Sequence, residues 1–179
     1  MFDLPQADQV RSTLRSHLHS IARDYGADTP EDAPQPPPLG GHLTALTVFA
    51  SATAVAGYLS RNRLPSDYAI SDVALGGAAV YKVARILAKE SVASPLRAPF
   101  TRFVGPAGSA ELNEEPRDGR RRTVGELLTC PFCLAPWLAT AYVGGLALAP
   151  KFTRACAAVF SAVAISDALQ HVSARISTD

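Results

Sequence analysis

Between Glu126 and Lys151 the chain carries no formally charged side chain, and this run of twenty-four residues, Leu127 to Pro150, restricts its fold more than any other feature. A helix rises about 1.5 Å per residue, so about twenty apolar residues cross a hydrocarbon core roughly 30 Å thick. A run of this length belongs in a bilayer or inside a helical bundle. Pro131 and Pro136 lie in its first half. Each lacks a backbone donor, so an uninterrupted straight helix is expected only from about Leu134.

A second uncharged run, Leu43 to Ser60, spans eighteen residues between His42 and Arg61. Pro65-Ser66-Asp67 then reads as a helix start, with Ser66 or Asp67 as N-cap, and the helix is expected over 68–88. Gly76-Gly77 would let a neighbouring helix approach closely. The last apolar segment, Ala155 to Ser166, reaches spanning length only if Asp167 is included and the helix continues toward Val172.

Composition agrees with this reading. Only 18% of the residues are charged against 47% hydrophobic, where a soluble domain usually carries about a quarter charged residues. The net charge of +1 argues against a nucleic-acid binder, and the apolar content excludes a disordered chain. Three cysteines are too few for a disulfide scaffold. Residues 1–41 hold no apolar signal region.

The expected fold class is therefore all-α: a multipass membrane protein with four spanning helices near 43–60, 68–88, 130–149 and 153–172. A soluble four- or five-helix bundle is the rival. Residues 1–27 carry an amphipathic helix over 6–25, whose stripe is Val10, Leu14, Leu18, Ile21 and Tyr25, with Asp8, Arg11, Arg15 and Arg23 on the other faces. It suits its own domain, a membrane surface or a partner. Residues 28–41 form a linker in which Pro30, Pro34, Pro36, Pro37 and Pro38 favour an extended spacer. The membrane domain is expected over 42–175. Its long connection, 90–123, is broken by Pro95, Pro99, Pro106 and Pro116 and reads as a polar loop outside the bilayer.

With four spans, thirteen of the seventeen Lys and Arg residues fall on one side, leaving Arg61, Arg63, Lys151 and Arg154 on the other. Positive residues collect in the cytoplasm, so both termini and the long loop are expected there, with the chain in the cell membrane.

Thr129-Cys130-Pro131-Phe132-Cys133 is the chemical centre of the sequence. Thiols at this spacing can form a disulfide or share a metal ion, and a helix N-terminus stabilises a thiolate. No strands are read around the motif, so the usual βαβ redox context is missing. Structural zinc needs two more ligands, for which only Cys156 and His171 are candidates. No cofactor is expected. Simple packing of the thiols, redox chemistry and zinc binding all stand as readings of the pair.

Lys82, Arg85, Lys89, Arg97 and Arg102, with Glu114, Glu115 and Glu126, flank the expected cytoplasmic face. They read as an anion or headgroup contact, or as ordinary ion pairing at an interface. Asp72 and Asp167 are the acids expected within the membrane, and His171 lies one helical turn beyond Asp167. Hydrogen bonding between helices and a proton relay are both open to them.

Four motifs in order carry a resemblance: Tyr81-Lys82-Val83-Ala84-Arg85-Ile86-Leu87-Ala88-Lys89; Ser94-Pro95-Leu96-Arg97-Ala98-Pro99-Phe100-Thr101-Arg102; Asn113-Glu114-Glu115-Pro116-Arg117; and Gly125-Glu126-Leu127-Leu128-Thr129-Cys130-Pro131-Phe132-Cys133-Leu134 with Trp137. From about Leu64 to Leu169 the chain resembles the bacterial membrane family called domain of unknown function 1360. The resemblance implies a small multipass membrane protein, some of whose relatives carry a sporulation label, and no established activity, substrate or cofactor. Tyr81 stands where that family is expected to carry His, and Ala135 where it often carries Gly. Both departures weaken a metal role. The expected function is a non-enzymatic membrane role assembling a protein partner through the N-terminal helix or the cytoplasmic loop. The alternatives are a thiol–disulfide or metal-dependent factor using Cys130 and Cys133, and a small transporter using Asp72 or Asp167.

Overall fold

A computed structural model describes residues 4–27, 36–65, 67–108 and 110–177. They fall into two units, 1–47 and 48–179. In the first, α1 (Leu4–Ala27) is a continuous helix. Val10, Leu14, Ile21 and Tyr25 of its apolar stripe are exposed. The Leu18 side chain and linker residues 28–35, with Pro30 and Pro34, lie outside the described residues. On the polar side the hydroxyls of Ser12, Thr13, Ser16 and Ser20 donate back to carbonyls one turn earlier, which satisfies them within the helix.

Pro36–Pro38 form no regular structure, and α2 (Leu39–Ser60) begins directly after them. The expected linker is therefore too long at its end. The Pro38 carbonyl accepts the His42 amide at 3.0 Å, so the first helical bond closes across Gly40-Gly41 despite their weak helix propensity.

The second unit is built on α3 (Ile70–Ala88), which packs against both α6 (Pro131–Leu148) and α7 (Pro150–Ile176). α3 starts two residues later than expected. Ala69 is its N-cap, Asp67 lies upstream of it, and Ser66 is outside the described residues. Asp72 lies in its first turn, where a carboxylate suits the positive end of the helix. α6 begins at Pro131, three residues before the expected straight start. A proline at the first helical position gives up only an N–H that has no helical partner. Pro136 is accommodated inside the same helix. Ala149 alone separates α6 from α7. α7 runs well past the expected 153–172.

Contacts fix the directions. Moving along α3, Asp72 meets Arg154, Leu75 meets Ser161 and Lys82 meets Asp167, so α3 and α7 run parallel. The start of α3 meets Tyr142 while its end packs on Leu134, so α6 runs antiparallel to both. Small residues set the spacing: Ala79, Ala84, Ala88 and Ala157 are buried. At Gly76 an added Cβ would run into the Tyr142 ring. Phe49 of α2 meets Trp137 of α6 edge to face, with centroids 5.0 Å apart.

The all-α expectation needs correction in segment 90–123, which is not an unstructured loop. After a 3-10 turn at Ser91–Ala93 and the single turn α4 (Ser94–Arg97), β1 (Thr101–Pro106) pairs antiparallel with β2 (Leu112–Pro116). A register shift between Phe103 and Gly105 leaves Val104 as the extra residue of a bulge. A 3-10 turn at Gly119–Arg121 leads into α5 (Arg122–Thr129). The prolines do not interrupt this structure, because Pro106 and Pro116 sit at strand ends where no ladder donor is required.

Of the four expected spans, three coincide with helices among the described residues that are long and apolar enough to cross a membrane, α2, α6 and α7. α3 is not among them, since Asp72, Lys82 and Arg85 fall within its nineteen residues.

Candidate functional site

The end of the bundle formed by the C-terminus of α3 and the N-terminus of α6 carries the residues that the sequence singled out, except Asp72, which lies at the start of α3. Its apolar floor is Ala84, Ala88 and Leu134, with Leu87, Leu127, Leu128 and Leu138 packed on it. The polar cap, residues 89–129, folds on this floor through α5.

Arg97 is the cap's central residue, with only 1% of its surface exposed. Its Nε donates to Glu114 Oε2 and its Nη2 to Oε1, both at 2.9 Å. Its Nη1 donates to the carbonyls of Leu87 at 2.8 Å and Glu90 at 3.1 Å, which ties the end of α3 to the hairpin. Thr101 donates to Glu114 Oε2 at 2.7 Å and Ser94 donates to Oε1 at 2.8 Å. Burial alone would raise the Glu114 pKa; the hydrogen bonds from Arg97, Thr101 and Ser94 outweigh it and hold the carboxyl at about 2. A buried charge pair survives only when its remaining lone pairs and protons are satisfied, as these are.

Around this centre, Lys82 reaches both Glu90 and Asp167 Oδ2, the latter at 2.7 Å. The Lys82 side chain is buried. It therefore links three elements: α3, the segment leading into the cap, and α7. Arg85 pairs with Glu111. The remaining pairs lie further out. Arg102 meets Glu115 at 2.8 Å across the hairpin and is exposed, and Glu126 meets Arg122 at 2.8 Å within α5. Lys89 contributes its backbone: its carbonyl accepts the Leu112 amide at 2.8 Å.

The two acids take part in helix pairing. Asp72 accepts two hydrogen bonds from Arg154, both 2.8 Å, while the Tyr142 hydroxyl donates to the Asp72 carbonyl at 2.8 Å. Asp167 is engaged by Lys82. The His171 ring nitrogen lies 2.8 Å from the Asp167 backbone carbonyl rather than from its carboxylate.

Cys130 and Cys133 are disulfide-bonded, with Cα atoms 5.2 Å apart. Cys130 is the N-cap of α6, and its Sγ accepts the Cys133 amide at 3.2 Å. Cys133 is exposed and Cys130 half-buried. Cys156 lies on α7 beside a cavity of about 230 Å³ that Phe152 and Tyr142 also line. Among the described residues no group of three or more His, Cys, Asp or Glu is placed to hold a metal ion.

The family model described as "Protein of unknown function (DUF1360)" matches residues 75–173. The chain belongs to this family. No curated protein and no solved structure matches it. The DUF1360 match takes in most of α3, the whole polar cap, the cysteine pair and nearly all of α7, while α1, α2 and Asp72 fall outside it.

Sequence reasoning missed Ser94 and Thr101 as partners of Glu114, and Glu90, Glu111 and Arg154 as partners of the singled charges. These pairs close over as many as 82 residues, and no local spacing announces them. Within 82–126 nine basic residues stand among six acidic ones, which signals that pairs can form there but not which residues meet.

Proposed function

We propose that the chain is a multipass integral membrane protein that assembles a protein partner at its polar cap rather than turning over a small substrate. The observation that carries the membrane part is the outward apolar surface. Val48, Val55 and Leu59 of α2, Leu148 of α6, and Phe152, Val159, Ile165 and Leu169 of α7 are all exposed. A patch of this extent needs a bilayer or a partner to cover it. In this reading α3 is the fourth span, with its charges neutralised by Arg154, by Glu90 with Asp167, and by Glu111. The distribution of Lys and Arg supports cytoplasmic termini and a cytoplasmic cap.

The assembly part rests on how the cap uses its charges. Arg97, Lys82 and Arg85 close onto internal carboxylates, which builds a rigid platform instead of an open anion site. The same pairing removes Asp72 and Asp167 from the free state that a transport role would require.

Carbonate extraction of membranes containing the full chain tests the first part, with retention in the pellet expected and release into the supernatant overturning it. Crosslinking from cap positions such as Arg102 tests the second. A discrete adduct that is lost when the hairpin surface is changed is expected, and identical crosslinking from the opposite end, near Lys151, would overturn it.

A further inference from the structure

Beyond that reading, and independent of it, the geometry points to Cys130–Cys133 as a directional thiol–disulfide exchange site: an incoming thiolate attacks Cys133 Sγ, and Cys130 Sγ is the leaving group. Two observations fix the direction. The first is access. Cys133 is exposed in the first turn of α6, whereas Cys130 is half-buried where α5 turns into α6. The second is the fate of the charge. Cys130 is the N-cap of an eighteen-residue helix and its Sγ already accepts the Cys133 amide at 3.2 Å. A thiolate formed at Cys130 inherits that hydrogen bond and the positive end of the helix. The Cys133 amide is turned toward Cys130, whose carbonyl oxygen it reaches at 3.1 Å and whose Sγ it reaches at 3.2 Å, and away from Cys133 Sγ. Exchange is faster through the leaving group whose thiolate is the better stabilised, so both factors act in one direction. Pro131 takes part passively: it occupies the first helical position without competing for an acceptor.

The step balances with a thiol as the only co-reactant. The incoming thiolate forms a new S–S bond to Cys133, the Cys130–Cys133 bond breaks, and its electron pair leaves on Cys130, which takes up the proton released by the attacking thiol. A second thiol then attacks the sulfur of the bound reagent and frees Cys133. Two thiols are oxidised to a disulfide, and the cysteine pair is reduced by two electrons. The substrate class is an accessible thiol, from a protein or a small molecule. In a reducing compartment a disulfide of this kind is transient and reactive rather than structural.

The test uses the oxidised wild-type chain in its membranes, with reduced glutathione as probe. After a brief exposure and quenching with an excess of alkylating reagent, the mixed disulfide is mapped by mass spectrometry. Glutathione on Cys133 with the alkyl group on Cys130 is expected, at least tenfold over the reverse isomer. Equal isomers, the reverse isomer in excess, or no adduct at Cys133 while an exposed control disulfide is reduced overturns the proposal. Cys130→Ser retains an N-cap oxygen and leaves Cys133 free. It should form a stable adduct with oxidised glutathione at Cys133, and failure to form one while an exposed control thiol is glutathionylated overturns the proposal.

Discussion

The helical framework and the polar cap solve opposite problems with the same chain. In α2, α6 and α7 many of the large apolar side chains point outward, while Ala79, Ala84, Ala157 and Gly76 bring the helices close around the few that are buried, such as Leu134 and Leu146. Lipid tails are as apolar as leucine, so helices in that setting associate by close approach and by polar pairing. Asp72 with Arg154 and Ser161 with the Leu75 carbonyl supply the pairing. In the cap there is almost no apolar interior. The most enclosed side chains are Arg97 and Thr101, and order comes from a saturated hydrogen-bond centre. One region is specified by where charge is absent and the other by where charge is matched.

The comparison is most sharply tested at Arg97. Arg97→Ala leaves Glu114 buried without its counter-charge and should cost about 3–5 kcal/mol. Hydrogen exchange in detergent should show the cap unprotected while α6 and α7 stay protected. Equal loss of protection throughout would merge the two regions into one cooperative unit.

Acid should unfold the cap before the helices. Glu114 is held at about 2, below its ordinary 4.5. The folded state therefore binds this proton less readily than the unfolded chain. The stabilisation is complete above about pH 4.5, is lost as pH falls toward 2, and amounts to roughly 3 kcal/mol. Denaturation of the cap followed between pH 7 and pH 2.5 should show the loss, and Glu114→Gln should flatten it.

Two glycines compare the regions directly. An alanine at Gly125 would meet the Phe100 carbonyl oxygen at 2.6 Å and Pro116 Cβ at 2.9 Å, both belonging to ordered backbone or ring. At Gly76 it would meet the Tyr142 ring, pinned by its hydrogen bond to the Asp72 carbonyl. Each substitution should cost about 1–3 kcal/mol by overpacking. The signature differs: Gly125→Ala should loosen the cap, and Gly76→Ala should separate α3 from α6, read by an increased reactivity of Cys156 in the adjoining cavity. The smallest effect belongs to Arg102→Ala. Its pair with Glu115 is exposed on both sides, so the change in stability should be the smallest of the set and vanish in high salt.

The framework was legible in the sequence because exclusion of charge is a local property. The uncharged runs announced α2 and α6, and the stripe from Val10 to Tyr25 announced α1. α7 was legible as a short apolar core, Ala155 to Ser166, that had to take in Asp167 to reach spanning length, and Lys82 neutralises that acid from another helix. The cap was illegible for the complementary reason. Pro95, Pro99, Pro106 and Pro116 looked like breaks, and β1 and β2 are short strands without clean alternation. Their order depends on Glu114 meeting Arg97 across seventeen residues, which spacing alone does not reveal. The cysteine pair was legible as a motif, but its asymmetry was not: that required knowing which sulfur caps α6.

The pairing of α3 also has a consequence in time. Asp72 emerges from the ribosome 82 residues before Arg154, an interval of about 4–16 s at ordinary rates of synthesis. Lys82 waits as long for Asp167. During that interval α3 has its charges without their helix-borne partners, and only the arrival of α7 completes it. The parallel alignment of these two helices thus leaves α3 to be secured by a helix synthesised well after it.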